Sequence, residues 1–304
     1  MKRLFIVVAA VMFCAGGVLA QKAEIDKKAG YLDVPYFTMH QPAAESLGGS
    51  AFIEKVQDMG FWEMEEETEK EILSGNVPSA LKRFRKITYR ITLPDKEGKS
   101  KKHKVSFWVL PDYLSVGNNN DYVRMPMGPL AAQRVADSLY CSLPTTFLVD
   151  KIAEASEGRI EIFPFRPVGD RNMKPLCFQD RNNAINALMR AKGYKFGQFI
   201  SGQKKDVVLT TRLEKEADFK RHVAIYGWHH PDGHPQQPLF IRHGNFYSDY
   251  SHGIRLIYRI IEIDGKEYDL RKVLEDKELF RLVSNESYPF DRASYDWQKP
   301  WVIR

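Results

Sequence analysis

Apolar and polar positions recur along this chain with two different periods, and each change of period predicts a change of element. From Ser50 onward Phe52, Val56, Met59 and the Phe61–Trp62 pair repeat with helical spacing, and strong helix formers continue through residues 63–73 until Gly75 and Asn76 stop them. A second helix is expected over residues 78–85, opened by Pro78, with Leu81 and Phe84 facing inward. The period then falls to two. Residues 87–93 alternate as a strand, residues 95–98 turn, and residues 105–110 return as the partner of a hairpin. Helical spacing resumes over 129–141 and 145–155, separated at Ser142-Leu143-Pro144, and again over 181–191.

Most of the remainder reads as β: 207–213, 223–228, 238–241 and 253–263, followed by Asp264-Gly265 as a two-residue hairpin turn into 266–270. A last helix is expected over 270–283, and the aromatic tail 297–304 is expected to dock on the body. Helices gathered ahead of strands, with hairpin connections and no regular βαβ alternation, predict an α+β class: N-terminal helices and a hairpin, then helices followed by a mainly antiparallel sheet. Residues 21–48 are polar and turn-rich, an extended arm, and 49–304 form a single domain. The acidic run Glu63, Glu65, Glu66, Glu67, Glu69 and Glu71 is expected to be a wet helix face rather than a metal site.

The first twenty residues set the compartment. Lys2 and Arg3 precede an apolar run at 4–13, and Val18-x-Ala20 closes a small-residue stretch, which is the pattern of a cleaved signal peptide. Export, to a periplasm or beyond, follows. No later segment approaches the ~18 apolar residues of a membrane helix, so no integral span is expected after cleavage. The net charge is +6, of which Lys2 and Arg3 carry two. That mild excess, with export, argues against nucleic acid and leaves an extracellular or envelope polymer as the partner class. Beyond the signal peptide only Cys141 and Cys177 remain, either a disulfide pair or free thiols, and too few to staple the fold.

The candidate chemistry is concentrated late in the chain. Six of the eight histidines (His222, His229, His230, His234, His243, His252) fall within one stretch that also holds Asp232 and Asp249. Pro231 and Gly233 forbid a helical His-x-x-x-His site, so a metal, zinc being the expected ion, would be held from loops by His229 and Asp232. Without metal, His252 stands where a polar turn enters a strand, with Asp249 or Asp206 to orient it as a general base. Cys177, placed just before the 181–191 helix with Asp180 as its cap, is the alternative nucleophile, because a helix N-terminus lowers a thiol pKa. Lys205 at a strand mouth, the aromatics Trp228 and Tyr250, and Arg255 complete the set as substrate-binding residues.

Three resemblances attach to these residues. The order of Cys177, helix, strands and His252 resembles papain-like cell-wall peptidases, although Cys177 lacks their local signature. Ser251-His252-Gly253-Ile254-Arg255 is similar to the Ser-His-Gly-Cys-x-Arg motif of L,D-transpeptidases, but Ile254 follows Gly253 directly and the nucleophilic cysteine is missing. More widely, Leu143-Pro-Thr145, Lys204-Lys-Asp-Val-Val208, Tyr226-Gly-Trp-His229 and Asp249-Tyr-Ser-His-Gly253 resemble a group of uncharacterised secreted bacterial proteins, a likeness that implies no activity. The residues together point to a secreted hydrolase of envelope or extracellular polymer, glycan or peptide, built on His252 and Asp249. The alternative is a non-catalytic envelope or glycan-binding protein.

Overall fold

The computed structural model describes residues 24–26, 30–94, 97–165, 169–216 and 221–296; the expected signal peptide, the turn residues 95–96 and the tail 297–304 lie outside them. The fold is α+β with mainly antiparallel sheets. Two helices, α1 (Gly49–Val56) and α2 (Phe61–Leu73), stand where one was expected. They separate at Gly60, whose N–H donates to the Glu63 carboxylate and caps α2.

Strands β1 (Arg83–Pro94) and β2 (Ser100–Val109) form a long hairpin whose inner face carries Phe84, Ile87, Tyr89, Val105 and Phe107 into the main core. The helix expected over 78–85 is only a 3-10 turn, Ser79–Lys82. Residues 83–85 are drawn into the sheet because Tyr31–Asp33 pairs antiparallel with them, a partner too remote for local periodicity to reveal. Part of the expected arm is thus a sheet edge, followed by a short helix, Pro35–Met39, that buries Phe37.

Helices α3 (Pro129–Ser138) and α4 (Thr146–Ala155) follow, and Thr145 caps α4 through its hydroxyl. Next comes α5 (Pro175–Ala191), which starts six residues earlier than expected because Pro175 occupies its first position. A second sheet holds β3 (Lys205–Val207), β4 (His222–His229), β5 (Pro235–Gly244) and β6 (His252–Gly253), in the order β5-β4-β3-β6. The β3–β6 pair is parallel.

The strand expected over 253–263 is broken because the chain changes sheets. After Gly253, Ile254 and Leu256 accept backbone hydrogen bonds from Leu114 and Leu110, and Ile257–Tyr258 joins the first sheet beside Val109 and Cys141–Ser142. Asp264 (φ +54°) and Gly265 (φ +81°) then make the left-handed two-residue turn into Lys266–Asp269. The helix expected over 270–283 is Leu270–Glu275 and a later 3-10 turn, Phe280–Leu282. Among the described residues no helix is long and apolar enough to cross a membrane.

Candidate functional site

The candidate site lies where the chain leaves the second sheet, and its side chains sort themselves by the faces of strand β3. Directly paired residues of neighbouring strands present their side chains to the same face, and successive residues alternate. Lys205 pairs with His252, whereas Asp206 pairs with Gly253 and Tyr226. Lys205 and His252 therefore share one face and Asp206 belongs to the other.

His252 is fully buried, and neither ring nitrogen has a hydrogen-bond partner. Its Nε2 stands 3.9 Å from Asp249 Oδ1, an electrostatic contact but too long for a hydrogen bond. Burial pushes the imidazole well below its ordinary pKa, to about 4, and Lys205, His243 and Lys204 add to the effect while Asp249 opposes it. At neutral pH the ring is an uncharged base.

Asp249 is held from two sides. Ser251 donates to Oδ1 from its hydroxyl (2.5 Å) and its backbone N–H (2.8 Å), and Tyr247 Oη donates to Oδ2 at 3.2 Å. Burial raises its carboxyl, but His252 when protonated, the two Ser251 hydrogen bonds and Lys205 outweigh burial and hold it below the usual range, so it is ionised at neutral pH. Tyr247 is itself fixed, because Asn172 Nδ2 donates to its oxygen at 2.9 Å and its ring stacks on His243 at 3.9 Å. The His243 and His252 ring centroids are 6.3 Å apart. Burial also lowers His243 and Lys205, each partly offset by Asp249. Lys205, His243 and Tyr247 are half-buried around the enclosed His252, so the imidazole lies at the floor of the group.

Cys177 reaches this group from α5, but not in the expected form. It sits in the first turn, with Lys174 rather than Asp180 at the cap, and its thiol is raised, not lowered, by burial and by Asp180 and Asp249. Half-burial and two nearby carboxylates overcome the helix N-terminus. Cys141 is buried, and the two thiols are unpaired.

Other expected members are packed elsewhere. Asp206 accepts a hydrogen bond from Tyr113 Oη at 3.0 Å and is pushed up to about 6 by burial, against the pull of Arg255 and Tyr113. It cannot orient His252. Trp228 is 4% exposed, bonded from Nε1 to Gly202 O, and left-handed at φ +58°, which breaks the strand alternation. Arg255, 1% exposed, lies over the Tyr113 ring and donates to Ile200 O. Tyr250 is 7% exposed and donates to Phe165 O. None of these three presents a binding surface; Lys205 alone of the expected binding residues remains within reach.

The histidine-rich stretch divides as well. His229 Nε2 is 2.9 Å from Asp150 Oδ1, while Asp232 is exposed in the β4–β5 turn beside His234. They do not converge, and among the described residues no group of three His, Cys, Asp or Glu is placed to hold a metal ion.

Lys204 was not among the residues expected at the site. Its side chain is fully buried and Nζ donates to Tyr250 O at 2.7 Å, fastening the turn that carries Asp249 and His252. Tyr113 and Asn172 were missed too, since each meets the site across a long separation in sequence. The glycine of the Ser-His-Gly string is explained by Tyr113: a Cβ on Gly253 would lie 2.4 Å from the ring and 2.9 Å from Lys204 Cδ. Gly253→Ala is expected to lower stability by about 1–3 kcal/mol, read from the denaturant midpoint; an unchanged midpoint would show that the ring yields freely. Against known proteins, no family model, no curated protein and no solved structure matches this chain.

Proposed function

We propose that this protein is an exported hydrolase of envelope or extracellular polymer, with His252 as general base and Asp249 as the carboxylate that stabilises it. The observation that carries this reading is the buried, uncharged imidazole with both nitrogens unpartnered, next to an ionised carboxylate and a lysine. A buried polar group left without a partner costs about 1–3 kcal/mol, and such a cost is most simply retained where a substrate or water meets the group.

In this reading His252 takes a proton from water as the water oxygen bonds to the electrophilic centre of the linkage. Asp249 steadies the imidazolium, Lys205 faces the negative charge that develops, and the proton passes to the departing group as the old bond breaks. Export is supported by the Lys2-Arg3, apolar and Val18-x-Ala20 pattern. The binding alternative leaned on Trp228, which is enclosed.

The test is release of soluble fragments from labelled peptidoglycan, envelope polysaccharide and polyol-phosphate polymer by the mature protein, beside an Asp249→Asn variant. Fragment release that falls about 10-fold or more in the variant supports the assignment. Binding to a polymer with no product from any of them overturns it in favour of the non-catalytic reading.

A further inference from the structure

We propose that the cleft between the tip of the β1–β2 hairpin and the 3-10 turn Phe280–Leu282 binds an anionic amphiphile, a long-chain carboxylate whose chain lies on the cleft's leucines. This site is separate from His252 and does not depend on the hydrolase reading. The cleft has a volume of about 590 Å³, within the ~300–1,000 Å³ typical of small-ligand sites.

Its walls follow from the register of the hairpin. Leu93 and Lys101 are directly paired across β1 and β2, so both side chains stand on one face, and residues 277–282 lie over that face. Tyr89, on the same face of β1, donates from its hydroxyl to the Leu282 carbonyl and fastens the turn against the hairpin. Leu93 and Leu279 are half-buried and Leu282 is 1% exposed, and these three make the inner lining apolar. Lys101, Lys277 and Arg281 line the same cleft but are exposed, so they form its rim.

The uncompensated charge on that rim is positive. Glu97 and Glu278 also line the cleft, but each already has an interaction partner. His103 is held by Asp264, with Nδ1 2.8 Å from Oδ2. Among the described residues Lys101, Lys277 and Arg281 make no ion pair, whereas Lys272, in the helix just before, is paired with Glu275 at 2.7 Å.

The two halves of the lining together select the ligand. A small free anion would leave the leucines against water, and a neutral apolar molecule would crowd three cations without giving them a partner. An alkyl chain with an acidic head answers both. The chain displaces water from Leu93, Leu279 and Leu282, while the carboxylate accepts charge-assisted hydrogen bonds at the rim, where the planar guanidinium of Arg281 suits a bidentate contact.

Calorimetric titration of the wild-type protein with decanoate, decanol, decyltrimethylammonium and acetate, each kept monomeric, tests the assignment. Decanoate is expected to bind at one site about 10-fold or more tighter than decanol, with no binding of the other two. The Lys277→Gln, Arg281→Gln double variant changes exposed side chains only, so its melting temperature should hold while its affinity for decanoate falls about 10-fold and that for decanol stays the same. Lys101→Gln, on the opposite wall, should weaken decanoate in the same sense, and Leu279→Gln should weaken decanoate and decanol alike. Equal affinity for decanoate and decanol, or decanoate binding that survives all the rim variants, overturns the proposal. So does the absence of decanoate binding; salt-sensitive binding to phosphatidylglycerol vesicles in that case would make this end of the molecule a membrane-docking surface instead.

Discussion

Replacing His252 by Gln should lower turnover by about 10²–10⁴-fold and, in the same protein, make the fold more resistant to acid. The loss of turnover follows from removing the base. The gain in acid follows from the environment of the ring. Folded His252 has its pKa depressed to about 4, mainly by burial, against an ordinary value of 6.5 in the unfolded chain. Between those values the unfolded chain binds a proton that the folded protein refuses. Wild-type stability therefore falls as pH drops through that window and is fully present above it. Gln fills similar space and does not titrate, so the variant should match the wild-type melting temperature near pH 7 and exceed it near pH 5. Thermal melts at the two pH values, run beside the turnover assay, check both halves. A variant that is unfolded at neutral pH would make His252 structural, and one that keeps full activity would remove it from the mechanism.

The parts of this fold that were legible in the sequence are those whose two faces differ. Residues 87–93 and 105–110 alternate because one face meets the core, and Asp264-Gly265 is readable because two consecutive left-handed residues need that pair. The site resisted for the opposite reason. Strand β3 has no fully exposed residue, so Lys205, half-buried, and Asp206, buried, are separated only by the ladder register that puts one beside His252 and the other beside Gly253. Lys204 resisted because a lysine at a strand start is usually solvated, whereas here the amine is fastened to the Tyr250 carbonyl under the turn. Trp228 is the clearest failure. Its aromatic ring suggested a platform, but the left-handed backbone at Gly227 and Trp228 turns it into the interior, where Arg181 lies over its ring.

Interior cations recur in this half of the molecule, and each has a positioning role. Arg124, fully buried, pairs with Asp112 through two nitrogens and reaches Asn182 and Asn186 on α5, locking the helix that carries Cys177. Arg181, on the same helix, donates to the Phe163 carbonyl in the segment ahead of α5 and to the Gln203 carbonyl just before β3. Arg255 holds Ile200 O from the far side of the sheet. These groups fix the loop from which Lys204 and Lys205 emerge, so the floor of the site is set by buried charge rather than by apolar packing alone.

Glu65→Gln should stabilise the protein near neutral pH by about 2–3 kcal/mol, a change in the rare direction for a buried substitution. Glu65 was expected on a wet face of α2 but is 2% exposed. Its Oε1 accepts the Gly128 N–H at 2.8 Å at the start of α3, while Oε2 has no partner. Burial raises its pKa from 4.5 to about 8, against the pull of that N–H and of Arg134. Across this range the folded protein keeps a proton that the unfolded chain has released, so wild-type stability declines as pH rises from about 4.5 to about 8, opposite in sign to the His252 contribution. Gln keeps the acceptor for Gly128 and abolishes the titration. The gain should be small near pH 4.5 and grow toward pH 8, where denaturant midpoints of the two proteins compared directly decide the matter; coincident curves at pH 8 would mean that Glu65 ionises freely in the fold. The position also bears on the site, since a Cβ on Gly128 would lie 2.9 Å from the Asn245 carbonyl and 3.3 Å from Glu65 Oε2. Gly128, whose N–H the Glu65 carboxyl accepts, thus lies against the Asn245 carbonyl, two residues before Tyr247. If that support matters to catalysis, Glu65→Gln should extend the alkaline limb of the turnover profile along with the stability, whereas a purely local role moves the stability alone.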